Sequence, residues 1–407
     1  MTSPVPATAD PLDESRATAS AADGAILMVC FTFPPEFGGA IVQALRLGAE
    51  LQTRGCEVAF LADNGDGADA DLRHESFDLY RRRTFTAARS NLRKLIWTLR
   101  IVLFALAHPK FRVFHFHSVQ GPELLAMPVL KWLGRKTIVK LTLAESDDPA
   151  TLTRRRLMGK LYRACLGSVH RYIAISPSLK RMACSVGVAP ERVLLVANGV
   201  ETARYYLPMP DEIARARAAL DIPEGVPVMA SIGAVEHRKG YDLLIAAFET
   251  IRRERPDAVL LIVGPGNEDT NPFHVQLQQY MAERGIGGVR FLGRREDIHE
   301  ILRAVDLFAF CSRQEGFGTA IVEAMCAGLA VAVMDIPEIT GWIVGERPDA
   351  VNTPSRDPQE FARLCLQLLA QRTPASSAAL AESAARDFGM AAIGNTYEAL
   401  YAELRGH

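Results

Sequence analysis

The sequence predicts an α/β protein built from two doubly wound domains. Short apolar runs that suit buried parallel strands alternate with amphipathic helical patterns along most of the 407 residues. The alternation occurs twice, and a looser, proline-containing stretch from Asn198 to Val226 separates the two series as an interdomain connection. Glycine-containing loops follow several predicted strands, at the carboxyl edge where parallel sheets bind ligands.

The first series starts after an N-terminal tail. Residues 1–24 are rich in Ala, Thr, Ser, Pro and Asp and lack the apolar core of a signal peptide, so we expect a disordered tail. The run from Ala25 to Phe31 predicts a buried strand, and Gly38 and Gly39 open the helix that follows it. A glycine pair allows the backbone to approach a ligand closely, although a tight turn without a ligand explains it nearly as well.

Basic residues are concentrated in the first half of the chain. Residues 1–200 hold 26 Lys and Arg against 18 Asp and Glu, whereas residues 201–407 hold 20 against 29. The stretch from Arg81 to Arg100 and the run RRRLMGKLYR from Arg154 fit helices that lie on an anionic membrane. They fit equally well helices that cover a sheet with their basic face in water. The apolar part after Arg93 is too short to span a bilayer, which needs about 20 residues.

A strand with two histidines on one face is predicted from Arg112 to His117. The pattern RVFHFH places His115 and His117 on one side of the strand, and His117 near its carboxyl end. Two histidines at a strand end favour a functional role about as strongly as they favour a buried structural one. His117 is therefore a candidate site residue.

The second series carries the richest pattern, the stretch EGFGTAIVEA from Glu315. Apolar runs at Asp306–Cys311 and Leu329–Met334 predict strands on either side of it, so the unit is strand, loop, helix, strand. The start of such a helix offers unpaired N–H groups to an anion, and a diphosphate fits there. The alternative is a helix whose acidic residues only complement its dipole and solvent face. The candidate groups are the carboxylates of Glu315 and Glu323 and the N–H groups of Phe317, Gly318 and Thr319.

Several motifs in their order and spacing resemble one family, the retaining glycosyltransferases of family 4 (glycosyl transferases group 1). The resemblance runs from about Ile26 to Leu404. Its motifs are EGFGTAIVEA from Glu315, HRKGYDLLIAAF around Lys239, FLGRREDIHEILRAVDLFAF from Phe291, ANGVETARY from Ala197 and YEALYAEL from Tyr397.

The resemblance implies the GT-B fold, in which two Rossmann-like domains face each other across a cleft. It implies an acceptor-binding domain at residues 25–204, completed by a C-terminal helix at 390–407, and a nucleotide-sugar domain at 205–389. The implied enzyme transfers a sugar from a UDP- or GDP-sugar to a hydroxyl acceptor, such as a lipid-linked saccharide or polysaccharide precursor, and retains the anomeric configuration. It needs no metal or other cofactor and binds no nucleic acid. Seven cysteines without a CxxC pair add the expectation of a cytoplasmic protein, and the basic first half adds the expectation that it lies peripherally on the inner face of the membrane.

Roles for individual residues follow from the same resemblance. The residues with implied catalytic roles are Glu315, against the donor sugar hydroxyls, His117, near the reacting carbon, and Lys239, against the diphosphate. The other implied donor-binding groups are Arg238, at the diphosphate, Glu323, at the ribose, Gly38 and Gly39, closing on the phosphates, and the backbone of Phe317, Gly318 and Thr319.

The chain departs from the family pattern in three places, one of which is the loop DIPEITGWIV after Met334, which is shorter than the usual segment. Ala234 follows Gly233 where the family often has an arginine, so one usual phosphate ligand is missing. On the acceptor side, LAESDD from Leu143 to Asp148 replaces a common His-Gly pair. The departure at Ala234 keeps open an alternative function, a catalytically weak protein of the same fold that binds nucleotide sugars.

Overall fold

The computed structural model describes residues 10–11, 25–34, 38–86, 90–144, 147–266 and 270–406. The described residues form two compact units. One contains the chain up to Gly199 together with the residues from Met390 onward, and the other is Val200–Gly389. Of the predicted tail, only Asp10–Pro11 lies in the described part, where it forms a short strand.

The first unit is built on a nine-stranded sheet. Its order is β1-β4-β5-β3-β2-β6-β7-β8-β9, and every pair is parallel except β1 with β4 and β4 with β5. The strands are β1 (Asp10–Pro11), β2 (Ala25–Cys30), β3 (Val58–Asp63), β4 (Ala70–His74), β5 (Phe77–Arg82), β6 (Phe111–His117), β7 (Lys136–Leu141), β8 (Arg171–Ala174) and β9 (Val193–Leu195).

Seven helices accompany this sheet in the described part of the first unit. They are α1 (Gly39–Thr53), α2 (Ser90–Ala107), α3 (Ala126–Trp132), α4 (Pro149–Thr153), α5 (Gly159–Leu166), α6 (Pro177–Ser185) and α15 (Met390–Arg405). Single 3₁₀ turns lie at Pro122–Leu125 and Pro190–Arg192. The C-terminal helix α15 packs on α1 and on β6 and buries its own Tyr397 and Tyr401.

The sequence suggested a helix over the basic stretch from Arg81 to Arg100. The structure instead divides this stretch between a strand and a helix. Arg81 and Arg82 end strand β5, which forms a hairpin with β4. The turn between these strands places Glu75 at φ 53°, and Phe77 and Leu79 are buried under it. Helix α2 starts only at Ser90. The hairpin forms because the alternating apolar residues of FDLYRR bury one strand face, whatever the charge of its last residues.

The second unit is built on a six-stranded, fully parallel sheet of order β12-β11-β10-β13-β14-β15. Its strands are β10 (Val228–Ile232), β11 (Val259–Val263), β12 (Val289–Gly293), β13 (Leu307–Phe310), β14 (Ala330–Met334) and β15 (Ala350–Thr353). Its helices are α7 (Pro210–Ala219), α8 (Tyr241–Glu254), α9 (Pro272–Arg284), α10 (Ile298–Arg303), α11 (Thr319–Cys326), α12 (Thr340–Val344), α13 (Pro358–Gln371) and α14 (Pro374–Phe388), with a 3₁₀ turn at His237–Lys239.

Helix α7 lies inside the stretch that the sequence suggested was a connection. Pro210 stands at the first helical position, where its missing N–H costs no hydrogen bond. The Glu212 carboxylate accepts a hydrogen bond from the Met209 amide at 2.8 Å and so caps the helix start. Pro210 therefore marks the start of a helix, although the sequence suggested that the prolines of this stretch only interrupt regular structure.

Each sheet has a point at which the strand order reverses. In the second unit the chain runs from β10 to β11 and β12 on one side, and from β13 to β14 and β15 on the other. In the first unit the reversal lies between β2 and β6. Loops that leave neighbouring strands at a reversal point diverge and leave a crevice at the carboxyl edge, so the loops after these strands are where ligands are expected.

Candidate active site

The reversal point of the second unit brings together two loops that are distant in sequence. One loop follows β10 and ends in the 3₁₀ turn His237–Lys239, and the other follows β13 and leads into α11. Lys239 and Glu315 meet there: Nζ lies 2.5 Å from Oε1, although 76 residues separate them. Both side chains are largely buried, with 14% and 11% of their surfaces exposed. The crevice therefore holds an ion pair that is shielded from water.

Two further groups fix this ion pair. The Ser312 hydroxyl donates to the same Glu315 oxygen at 2.9 Å, and the Lys239 ammonium lies 5.8 Å from the centre of the Phe310 ring. Neither Ser312 nor Phe310 was predicted as a site residue. No sequence signal distinguishes them, since Phe310 reads as an ordinary strand residue and Ser312 as an ordinary loop residue.

Gly233 shapes the path of the lysine. Its φ is 151°, and a Cβ atom placed there would lie 2.7 Å from Lys239 Cε, closer than real contacts allow. The stem of Lys239 therefore passes directly over the Gly233 backbone. Any larger residue at position 233 would displace the end of the Lys239 side chain from this path and would adopt an unfavourable φ.

Helix α11 begins at the crevice. Its N-cap, Gly318, has φ 100°, and the next residue, Thr319, is the first of the helix. Within the described part of the chain, the N–H groups of Phe317 and Gly318 donate to no backbone carbonyl. The Phe317 ring is buried and makes edge contacts with Trp342 and Phe388, which hold the loop in place. Glu323 lies one turn into the helix and is buried.

Two arginines border the lysine, and only one of them was predicted. Arg238 pairs with Glu236 at 2.7 Å, and its Nη1 lies 3.8 Å from Glu315 Oε1. Arg313 was not predicted; it forms two bonds of 2.8 and 2.6 Å to Asp242 and one of 2.8 Å to the His237 carbonyl. Burial acts to raise the pKa of Asp242, but the hydrogen bond and charge of Arg313 lower it below its usual range. Arg313 thus ties the two loops together.

In the first unit, Gly38 caps α1 and Gly39 is its first residue. The backbone at Gly38 is extended, with φ −151°, a conformation open to any residue. Among the described residues, a Cβ atom at Gly38 or Gly39 would meet nothing within 4 Å. Neither the backbone conformation at Gly38 nor packing against the described residues at either position requires glycine. The preceding residues 35–37 lie outside the described part.

His117 ends β6 at the reversal point of the first sheet and is buried in a group of ring side chains. Its Nε2 lies 3.1 Å from Met28 Sδ, and its ring centre is 4.1 Å from that of His115. The His115 Nδ1 atom lies 2.7 Å from the Tyr401 hydroxyl of α15. Burial, and then the charges of neighbouring groups, hold the pKa of both histidines well below the usual range, so both rings are neutral at pH 7.

Lys140 stands beside His117 on the neighbouring strand β7. It is buried, and its ammonium lies 6.0 Å from the centre of the Tyr397 ring. Burial lowers the pKa of Lys140 to about 7. This lysine was read in the sequence only as part of a strand, because nothing in KTIVKL reveals that a helix near the end of the chain covers it.

The donor-side residues can bind an anion flanked by hydroxyl groups. Lys239 and Arg238 supply positive charge, and the start of α11 supplies N–H groups. Glu315 and Glu323 are buried carboxylates that accept hydroxyl hydrogen bonds. Among the described residues, no group of three or more His, Cys, Asp or Glu side chains is arranged to hold a metal ion.

Comparison with known proteins identifies the family of the chain. A family model described as Glycosyl transferases group 1 matches residues 212–387, and one described as Glycosyltransferase Family 4 matches residues 37–204. The lipopolysaccharide core biosynthesis glycosyltransferase LpsE of Rhizobium meliloti is 31% identical over 274 residues, which cover 65% of this chain and 75% of LpsE. The mannosyltransferase LpsB of the same organism is 28% identical over 44% of this chain and 49% of its own length, so the match spans about half of that relative.

Further relatives extend over more of the chain. The phosphatidyl-myo-inositol mannosyltransferase of Mycobacterium tuberculosis is 28% identical over 310 residues, 74% of each chain. Among solved structures, Anabaena HepE in complex with UDP aligns with a TM-score of 0.75 and 19% identity, over 93% of this chain and 100% of HepE. The fold is therefore that of the GT-B enzymes, and the chain belongs to the group 1 glycosyltransferases of family 4.

Proposed function

We propose that this glycosyltransferase moves a sugar from a UDP- or GDP-sugar to a hydroxyl acceptor with retention of anomeric configuration and without a metal. The observation that carries the proposal is the shielded Lys239–Glu315 pair beside the start of α11. A buried ion pair is stable here only with further partners, and a nucleotide sugar supplies them: phosphate oxygens for the lysine and sugar hydroxyls for the glutamate.

The proposed roles follow from charge development. When the nucleotide diphosphate departs, negative charge builds on its oxygens, and Lys239, Arg238 and the N–H groups at the start of α11 are already oriented to stabilise it. Arg238 lies near Glu315, and we propose that it compensates for Ala234 at the position of the usual arginine. Glu323 receives the ribose hydroxyls. The acceptor oxygen bonds to the anomeric carbon on the face from which the nucleotide diphosphate departs, so retention needs no covalent nucleophile, and the departing phosphate takes the proton of the acceptor hydroxyl.

For the first unit, we propose that Gly38 and Gly39 contact the phosphates and that His117 acts near the reacting carbon. Because His117 is neutral, it would act as a hydrogen-bonding group and not as a cation. We propose a lipid-linked saccharide or polysaccharide precursor as acceptor. LpsE and LpsB are named for lipopolysaccharide core biosynthesis, and the mycobacterial relative for transfer to a phosphatidyl-myo-inositol, which supports an acceptor of this class.

The first experiment is a binding titration with UDP, GDP, ADP and their sugar conjugates, in EDTA, on wild type, Lys239→Ala and Glu315→Gln. We expect one nucleotide class to stabilise the wild type, with a gain of about 2.7 kcal/mol at 100 times the dissociation constant. Lys239→Ala should lose most of this gain. Glu315→Gln should still bind the free nucleotide but lower transfer by about 10²-fold.

Two results would contradict the proposal. Transfer at the wild-type rate by folded Lys239→Ala protein would remove the site assignment, and activity that EDTA abolishes would remove metal independence. Nucleotide-sugar binding with no transfer to any acceptor would favour the weak binding protein of the same fold. Proton NMR of the product anomer decides between retention and inversion.

We also propose that the protein works as a peripheral protein on the inner, anionic face of the cytoplasmic membrane. Five leucines of α2 form an exposed line along the helix, which we call the leucine stripe: Leu92, Leu95, Leu99, Leu103 and Leu106. Their spacing of three and four residues puts them on one side of the helix, while Trp97, Ile101 and Phe104 bury the other side. An exposed apolar line of this length indicates an interaction surface.

Neighbouring helices carry further exposed apolar side chains. Helix α2 packs on α3, and α3 packs on α5. Val129 and Trp132 on α3 are exposed, Trp132 to 82%, and so are Leu157 and Leu161 around the start of α5, Leu157 to 92%. These four side chains and the leucine stripe together form what we call the docking face. No helix of the described residues is long and apolar enough to cross a bilayer.

The charge around the docking face fits anionic lipid. Helices α2 and α3 and the segment 154–166 contain nine Lys and Arg and no Asp or Glu. Arg93 and Arg100 of α2 pair with Asp63 and Asp69, so the exposed charge comes mainly from the segment 154–166 and not from the stretch first suggested by the sequence. Basic side chains around exposed Trp and Leu are typical of proteins that bind anionic membranes.

Vesicle flotation tests the membrane proposal. We expect wild-type protein to float with vesicles that contain 30% anionic lipid at low salt and to be released as the salt concentration rises. Leu99→Glu with Leu157→Glu should reduce binding at least about tenfold, whereas Leu195→Glu, at an exposed leucine outside the docking face, should not. Equal flotation of the two variants, or none by wild type at low salt, would contradict the proposal.

A further inference from the structure

A separate cavity lies in the second unit, away from the candidate active site. Its volume is about 590 Å³, within the range of small-molecule pockets. It lies at the amino ends of β10 and β13, beside Pro227 and Asp306, whereas the candidate active site lies beyond the carboxyl ends of the same strands. The two sites share no residue. The proposed glycosyl transfer makes no use of this cavity.

The cavity carries an excess of positive charge. Three arginines line it, Arg217, Arg255 and Arg372, with a single carboxylate, Asp306. Nη2 of Arg217 donates hydrogen bonds to both oxygens of that carboxylate, at 2.9 and 2.8 Å. Asp306 also accepts the Val228 amide at 2.9 Å, so its bonding capacity is largely used. The lining therefore has a formal charge of +2.

Arg372 is the arginine with the least compensation. Its Nη1 lies 3.7 Å from Asp306, outside hydrogen-bonding distance, and its other nitrogens donate to neutral groups, the Gly328 carbonyl at 3.0 Å and the Ser377 hydroxyl at 2.9 Å. Burial, more than any neighbouring charge, lowers the pKa of Arg372 from its usual value. A guanidinium that is only 24% exposed, and whose nearest carboxylate lies at 3.7 Å and is already bonded to Arg217, is a group that an anion would stabilise.

The rest of the lining is apolar. Leu207, Ile213 and Leu369 form walls together with Pro208, Pro210, Val226, Pro227 and Pro374. Arg217 has a structural role, because it pairs with Asp306 and its Nη1 also donates a hydrogen bond to the Val226 carbonyl. Arg255 also lines the cavity; its side chain is 44% exposed, and its Nε lies 3.7 Å from Asp257 Oδ1, so its guanidinium is accessible to a ligand. Cations on one side and apolar walls on the other suit an anion that carries an apolar body.

We propose that this cavity binds an organic phosphate monoester, with the phosphate between Arg255 and Arg372 and the apolar body against Leu207, Ile213 and Leu369. A phosphate monoester carries close to two negative charges at neutral pH, which matches the charge of the lining. Arginine forks bind its oxygens in pairs. A carboxylate would leave one positive charge uncompensated.

A ligand bound in the cavity would also affect the donor site, because the cavity and the donor site lie at the two ends of α11. The carbonyl of Gly328, two residues after the end of this helix, accepts a bond from Arg372, and Leu207 lies against Gly328. Helix α14 packs along α11 and ends at Phe388, against Phe317. At 1.5 Å per residue, the eight residues of α11 span about 12 Å. The proposal includes this coupling: the ligand acts as an effector of donor binding.

Calorimetric titration with phenyl phosphate tests the binding step. We expect binding to wild type and to Lys239→Ala, which removes the diphosphate site, and at least about tenfold weaker binding to Arg255→Gln. Arg215→Gln on α7, at an exposed arginine outside the cavity lining, is the matched control and should bind as wild type does. Ile213→Asn should weaken phenyl phosphate more than inorganic phosphate, because only the former carries an apolar body.

The outcomes separate this site from the donor site. Equal affinity in wild type and Arg255→Gln, or loss of binding in Lys239→Ala, would overturn the proposed site without affecting the proposed transfer. Donor titration at saturating phenyl phosphate tests the coupling, and we expect the nucleotide affinity to change at least about threefold. Binding with no change in nucleotide affinity would overturn the effector role.

Discussion

At the scale of single residues, the candidate donor site depends on the Lys239 side chain, which passes over the backbone of Gly233. The sequence places Gly233 after β10 and shows that the usual arginine is missing at position 234, but it does not reveal the lysine stem above the glycine. That contact arises because the 3₁₀ turn His237–Lys239 folds the chain back over the strand end. The motif predicted Lys239 as a ligand, and the structure adds the residue that makes room for it.

We predict that Gly233→Ala abolishes nucleotide-dependent stabilisation. The new methyl group would lie 2.7 Å from Lys239 Cε, so the lysine must leave its position. Gly285→Ala is the control: it also has positive φ, 64°, but open space around its Cβ, so it should cost about 1 kcal/mol of folding stability and leave nucleotide binding intact. Thermal-shift titration of both variants separates backbone strain from displacement of the lysine. Normal nucleotide binding by Gly233→Ala would contradict the prediction.

At the scale of elements, patterns within one segment were predictable and contacts between distant segments were not. The strand, loop and helix around Glu315 follow from local apolar periodicity, and the structure has them as β13, its loop and α11. The hairpin β4–β5 was missed because its arginines suggested a basic helix. The Lys239–Glu315 contact was not predictable as a contact, since it requires the order of β10 and β13 in the sheet.

Helix α15 covers a set of buried polar groups on β6 and β7, and this predicts how the first unit responds to pH. Lys140 has a pKa of about 7 in the folded protein, against about 10.4 in an unfolded chain. Between these values the unfolded chain binds a proton that the folded protein does not, so stability falls as pH falls from about 10 to 7. Below pH 7 both states are protonated and this contribution is constant. His115 and His117 then add a further loss below about pH 6.5, because they stay neutral in the folded state.

We predict that Lys140→Met stabilises the protein by a few kcal/mol at pH 7 and removes the slope between pH 7 and 10. Methionine fills a similar volume and leaves no charge to desolvate. Denaturant unfolding of wild type and variant at several pH values measures the slope. Lys136→Met, at the partly exposed start of β7, is the control and should keep the wild-type slope. A pH dependence unchanged by Lys140→Met would mean that other groups cause it.

At the scale of the whole molecule, the two units have separate sheets, and each core closes around its own. The donor residues Lys239, Glu315 and Glu323 all belong to Val200–Gly389, whereas His117 and Lys140 belong to the other unit. The family resemblance suggested this division of roles from sequence. Which side chains are buried beneath α15 could not be read in advance, because that helix returns from the far end of the chain.

Two separate cores predict two unfolding transitions with different sensitivities, as is common in proteins of more than one domain. We expect calorimetry to show one transition that a nucleotide shifts upward and that Lys140→Met leaves in place. The other should rise with Lys140→Met and with pH from 7 to 10, and should respond to nucleotide much less. Most of the proposed nucleotide-binding groups belong to the second unit, with only Gly38 and Gly39 in the first, and binding raises mainly the transition of the unit that supplies most of the contacts. A single transition that moves with both perturbations would contradict this prediction. It would mean that the two units unfold cooperatively, so that nucleotide binding and the charge of Lys140 change the same free energy of unfolding.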